Sequence, residues 1–107
     1  MAEVLNIDEL RGRIDVIDDQ LVRLLNVRVA CAVEVGRLKQ GQGLPIYQPD
    51  REKQVLSQVR DRAVALSGPL EADAVVRIFE RIMDEARRAE RRAADGVFRT
   101  DRATNRL

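Results

Sequence analysis

Histidine is absent from this 107-residue chain, there is one cysteine, Cys31, and aromatic residues make up only 3%. Without histidine, and with a lone thiol, the chain cannot build the usual zinc sites or a histidine-activated nucleophile. A disulfide framework needs cysteines in pairs. Charge of one sign is also lacking. Nineteen basic residues balance eighteen acidic ones to a net +1, so no strong global field points to nucleic acid. No apolar run reaches membrane-spanning length, and the start, Met1-Ala2-Glu3-Val4, does not read as a secretory leader. The expectation is a cytoplasmic protein with no membrane and no nucleic acid among its partners. Any chemistry must come from arginine, lysine, carboxylates, amides and hydroxyls.

Charged residues supply 35% of the chain, and alanine, leucine, valine, arginine and the acids dominate it, a composition that favours helix. Apolar side chains recur at Ile7, Leu10, Ile14, Ile17, Leu21 and Leu24 and again at Cys31, Val35 and Leu38, alternating steps of three and four. That is one helical stripe. Asp8 is the expected N-cap, Gly41 and Gly43 the stop, and Gly12 and Gly36 each weaken the helix by about 1 kcal/mol relative to alanine. A helix from Asp8 to Gln40 is roughly 50 Å long. A compact chain of this size has a radius of gyration of only about 13 Å. A second copy covering the stripe is the natural solution, so the expectation is a dimer.

Pro49, Asp50 and Glu52 suit the start of a second helix, with Val55, Leu56, Val59, Ala63 and Leu66 on its apolar face and Ser67-Gly68-Pro69 at its end. A third helix is expected to begin near Leu70, to bury Val75, Phe79, Ile82, Met83 and Ala86, and to fray at Asp95-Gly96. The reading is therefore all-α, with three helices and a long first one. Residues 1–94 form the domain and 95–107 a polar, mobile tail. No internal repeat is visible.

Several charges fall where hydrocarbon is expected. Arg28 takes the next stripe position after Leu24, and Lys39 lies eleven residues on, about 20° around the axis and 16 Å along it. Ala32 and Val35 form an apolar floor between them, so a compact dianion would fit. The plainer alternative is a structural ion pair for Arg28 and a solvated helix-end charge for Lys39. Arg11 lies about 25 Å from Arg28 along the helix and could meet the same ligand only from a second, antiparallel chain. Otherwise it is a surface charge. Arg51 and Glu52 open the second helix, where Glu52 is either a site residue or a first-turn cap. Glu90 continues the face of Met83 and Ala86, or is a solvated terminal charge. Cys31, on the stripe, is expected to be a packed core thiol. The seven arginines from Arg87 to Arg106 resemble a solvated tail.

Taken together, these residues resemble a known family. Leu10-Arg11, Ile14, Asp18, Leu21, Leu24-Leu25, Arg28, Ala32-Val33-Glu34-Val35-Gly36 and Lys39 are similar to the first helix of the all-helical (type II) chorismate mutases. Pro45-Ile46-Tyr47 and Asp50-Arg51-Glu52-Lys53 are similar to that family's loop and second-helix start, and Arg77-Ile78-Phe79 and Ile82-Met83-Asp84-Glu85 to its third helix. The resemblance spans about residues 7 to 92. It implies an intertwined helical homodimer that rearranges chorismate to prephenate for phenylalanine and tyrosine synthesis, with each site completed by an arginine from the other chain. By that resemblance, Arg28 and the partner's Arg11 bind the substrate carboxylates and Lys39 donates to the ether oxygen of the breaking bond. Arg51 orients the ligand, Glu52 holds the substrate hydroxyl, and Gln48 contributes through its backbone.

Two positions depart from the pattern: Ala86 stands where a serine is frequent, and Glu90 where many members carry glutamine. The implied reaction is concerted and needs no metal or cofactor. It calls for selecting one conformer and for stabilising negative charge at the ether oxygen. A neutral Glu90 can donate to that oxygen and an ionised one cannot. Two other readings fit the same residues: a lyase removing pyruvate from isochorismate on this fold, and a non-catalytic helical dimer regulating a partner enzyme.

Overall fold

A computed structural model of the chain describes residues 6–96 and contains three helices and, among those residues, no strand. Helix α1 runs Ile7–Gly41, α2 Pro49–Leu66 and α3 Ala72–Ala94. The three expected spans hold to within two residues.

The local chemistry explains the ends. Asn6, not Asp8, is the N-cap of α1: its side chain accepts the Glu9 N–H at 2.8 Å, and its own amide reaches back to Glu9 Oε1 at 3.4 Å. The first bond satisfies a backbone N–H that the first turn leaves open, and the second, donated by the Asn6 side-chain amide, steadies the capping side chain. Asp8 falls instead in the first turn, where its charge meets the positive helix end. At the other end, Gly43 takes a positive φ of 71° and the Leu44 N–H returns to Lys39 O at 2.8 Å, turning the chain towards α2. Pro49 opens α2 without costing a hydrogen bond. Ser67 closes it in the left-handed conformation, its N–H bonded to Ala63 O at 3.1 Å. Helix α3 begins at Ala72 rather than near Leu70, and Arg60 ties α2 to its first turn through Asp73 at 2.7 Å. Of the expected tail, Asp95 and Gly96 form a turn, and residues 97–107 lie outside the described residues.

Helix α3 packs against both α1 and α2. Val33, Met83 and Ala86 form the buried apolar core, with Gly36 buried beside them. Val75, Phe79 and Ile82 are half-buried, whereas Leu66, placed by periodicity on the apolar face of α2, is 74% exposed. The stripe of α1 is bare: Ile7, Leu10, Ile14, Ile17, Leu21, Leu24, Val35 and Leu38 are all exposed. Cys31 is exposed too, correcting the expected core thiol. The reason is angular. At 100° per residue, Val33 and Gly36, which face α3, lie on the far side of α1 from Cys31, Val35 and Leu38. The chain is elongated, 59 Å in its longest dimension, with a radius of gyration of 17.3 Å against roughly 13 Å for a compact chain of this length. Among the described residues, no helix is long and apolar enough to cross a membrane.

Candidate active site

Three elements converge on a cleft of about 300 Å³. Helix α1 contributes Arg28, Ala32, Val35 and Lys39; the start of α2 contributes Gln48, Arg51 and Glu52; α3 contributes Ala86 and Glu90. Seven of the eight residues singled out from the sequence thus meet around one space. Arg11 is the eighth. It lies on the exposed first half of α1 and is not among the described residues that line the cleft.

The strip of α1 carrying Arg28, Ala32 and Lys39 runs between two faces. One packs on α3 through Val33 and Gly36, and the other is the bare stripe. The cleft therefore borders the uncovered side of the molecule. Arg28 is half-buried, its guanidinium carbon 5.8 Å from the centre of the Phe79 ring, a cation–π contact between α1 and α3. Lys39 is half-buried as well and donates from Nζ to Ile46 O at 3.3 Å, so it is restrained by the loop rather than solvated at the helix end. Arg51 remains exposed, with Nη1 on Gln54 Oε1 at 2.5 Å. Gln48 is the N-cap of α2 through its backbone, its carbonyl accepting the Glu52 N–H at 3.2 Å.

Glu90 is not a solvated terminal charge. Its Oε2 is buried with no hydrogen-bond partner among the described residues. Burial pushes its carboxyl above the ordinary carboxylate range, with Glu52 adding to the rise, while Lys39, Arg87 and Arg91 oppose it. A carboxyl so placed keeps its proton to a higher pH than an exposed glutamate, and the protonated form can donate.

One lining residue escaped the sequence reading. Arg87, assigned there to the solvated arginine run, donates from Nη1 to Glu52 Oε2 and from Nη2 to Asp84 Oδ1 at 3.2 Å, and its guanidinium carbon lies 5.3 Å from the Tyr47 ring centre. Its partner Glu52 is 35 residues away in sequence, so periodicity could not reveal the contact. The three-residue spacing of Asp84 and Arg87 was the available signal.

Residues 10–91 match the family model for chorismate mutase type II. Among curated proteins, a bifunctional chorismate mutase/prephenate dehydratase of Neisseria gonorrhoeae is 42% identical over 89 residues, covering 79% of this chain and 23% of that protein. The T-protein of Enterobacter agglomerans is 38% identical over 87 residues, 81% of this chain and 23% of that protein. A chorismate mutase of Methanocaldococcus jannaschii is 36% identical over 52 residues, 49% of this chain and 52% of that protein. The chain thus spans about a quarter of the length of the first two relatives. No solved structure matches it significantly.

Proposed function

Because the chain belongs to the chorismate mutase type II family, we propose that it converts chorismate to prephenate by a pericyclic rearrangement, in phenylalanine and tyrosine biosynthesis. The observation carrying this reading is the convergence of Arg28, Lys39 and Arg51 with Glu52 and a buried Glu90 around one cleft. Three cations suit a dianion, and their attraction grows as the cleft excludes water. Holding the two carboxylates apart selects the conformer in which the ends of the breaking and forming bonds meet, an orientation effect worth several kcal/mol.

In the transition state, negative charge gathers on the ether oxygen. Lys39 and a protonated Glu90 are the donors for it, and donors fixed before reaction do not have to reorganise during it. The carbonyl of Ile46 fixes Lys39, and burial keeps Glu90 protonated to a higher pH than an exposed glutamate. Glu52 accepts from the substrate hydroxyl, Arg28 holds one carboxylate, and Arg51 and the backbone at Gln48 orient the ring. Ala86 adds no polar group, only room beside the cleft. The chemistry needs no cofactor, because bonds break and form within one molecule.

The second carboxylate calls for a further cation, and the bare stripe of α1 supplies the reason to expect one. Eight half- to two-thirds-exposed aliphatic side chains are each worth about 1 kcal/mol when covered. A second copy covers them by laying its own stripe alongside. In that homodimer, two intertwined long helices run antiparallel, and the partner's Arg11 enters the cleft that the stripe borders. The setting for such a biosynthetic enzyme is the cytoplasm.

The test is loss of chorismate absorbance on adding purified protein, with prephenate identified as product, repeated on Lys39→Ala. Chorismate that binds without being consumed, or pyruvate released from isochorismate in preference, would overturn the reading.

A further inference from the structure

Arg87 joins three elements at the edge of the cleft: the loop through Tyr47, α2 through Glu52, and its own helix through Asp84. The side chains of Arg87 and Glu52 are 21% and 24% exposed, so the pair is largely shielded from water. A free glutamate turns easily about its last torsion, which has broad, shallow preferences. Glu52 is not free. One of its oxygens is taken by a guanidinium that is itself held by a carboxylate and by an aromatic face.

Resting on the reading in which Glu52 holds the substrate hydroxyl, we propose that Arg87 is a positioning residue of the site: it occupies Glu52 Oε2, leaves Oε1 as the acceptor presented to the ligand, and cancels the charge of Glu52 against an anionic substrate. With the pair neutral, Arg28, Lys39 and Arg51 face the dianion unopposed. Without Arg87, the same carboxylate rotates and repels.

Four charged groups face Glu90 across this corner: Lys39 on α1, Glu52 on α2, and Arg87 and Arg91 on α3. Glu90 therefore reports on the pair from outside it. Loss of Arg87 removes a positive neighbour and leaves Glu52 uncompensated, and both changes push the Glu90 carboxyl further up.

The experiment is steady-state kinetics on the full chain as wild type, Arg87→Met, Arg87→Lys, Glu52→Gln and the double variant Arg87→Met with Glu52→Gln, with helix content checked by circular dichroism. Arg87→Met is expected to lower kcat/KM roughly tenfold to a hundredfold, with KM raised. In the Glu52→Gln background the same change costs less than about threefold, because the residue it acts through is already altered. A residue that only braced the fold would give losses that multiply, and that result, or unchanged kinetics in Arg87→Met, overturns the proposal. If Arg87→Met does not fold, Arg87→Lys carries the test: a point charge keeps KM near the wild type while kcat falls for want of the planar fork, and wild-type values of both overturn it. A wild-type protein that leaves chorismate untouched refutes the proposed function instead. The carboxyl ¹³C titration of Glu90 in the unliganded protein then decides the inference, an upward shift of its midpoint in Arg87→Met supporting it and an unmoved midpoint overturning it.

Discussion

The Glu90 side chain lies across Gly36, its Cγ 3.3 Å from the point a Cβ on residue 36 would occupy. By helix propensity alone, Gly36→Ala stabilises α1 by up to about 1 kcal/mol. Here the added methyl meets Glu90 more closely than ordinary contact allows, and Glu90 must shift by a few tenths of an ångström. The expected outcome is a melting temperature within a few degrees of wild type and a kcat/KM lowered about tenfold, since small displacements of a donor are costly. Wild-type turnover in Gly36→Ala would show that the orientation of Glu90 is immaterial.

The pH dependence follows from the same side chain. Burial raises the Glu90 carboxyl above its ordinary value, so the folded protein holds its proton to a higher pH than the unfolded chain does. As pH rises through that raised value, the carboxyl becomes an acceptor-only anion, which in the proposed mechanism would face the ether oxygen. Turnover is expected to decline on the alkaline side, and Glu90→Gln, which donates at every pH, to flatten the decline. The sign for stability is the same. Ionisation is disfavoured in the fold, so stability falls as pH climbs from the ordinary glutamate value through the raised one, and Glu90→Gln removes that loss. Superimposable pH–rate profiles for the two proteins would take Glu90 out of the mechanism.

These two residues also mark what the sequence made legible. That Glu90 continues the face of Met83 and Ala86 follows from helical spacing, and so does the shared strip of Arg28 and Lys39. The helix spans follow from Pro49 at one end and Ser67-Gly68-Pro69 at another. The Asn6 cap carried a visible signal, an asparagine three residues before Glu9, yet Asp8 drew the assignment. Spacing says which residues share a face but not what covers that face. Cys31 and its stripe neighbours are bare because α3 sits on the opposite side of α1, through Val33 and Gly36. Arg87 was hidden for a related reason: one arginine in a run of seven is distinguished only by a partner brought in by tertiary structure.

Lys39 carries the largest single expected loss. Its ammonium, bonded to Ile46 O at 3.3 Å, is already placed when the ligand arrives. Removing one preorganised donor costs about 3 kcal/mol, on the order of a hundredfold in kcat. Lys39→Ala is expected to show that loss in a continuous chorismate absorbance assay while keeping its helix content, because Lys39 is half-buried at the cleft and lies outside the buried core of Val33, Met83 and Ala86. A fall confined to KM would move Lys39 from the transition state to simple binding.

The bare stripe yields a test of assembly. Leu21 is 51% exposed in the single chain, so an aspartate there adds no burial cost to a monomer. Against a second copy it introduces an unpaired charge among aliphatic side chains, several kcal/mol unfavourable. Light scattering coupled to gel filtration is expected to give a dimer mass for wild type and a lower, concentration-dependent mass for Leu21→Asp, with turnover falling in parallel. Equal masses would mean that the stripe is not the interface.

Mixing two defective proteins tests whether Arg11 acts across that interface. Arg11 and Arg28 are about 25 Å apart along α1, too far to grip one small molecule from the same chain. Suppose each cleft takes Lys39 from one chain and Arg11 from the other, and that Arg11→Ala and Lys39→Ala are each nearly inactive. In the mixed dimer, the Arg11→Ala chain offers an intact Lys39, and its partner offers an intact Arg11 to the same cleft. The second cleft lacks both. Random exchange makes half the dimers mixed, each with one working site in two, so activity is expected to recover to about a quarter of wild type. If Arg11 served its own chain, both clefts of every mixed dimer would stay defective and mixing would restore nothing. The readout is the rate of chorismate loss after the two proteins are combined, mildly dissociated and allowed to reassemble.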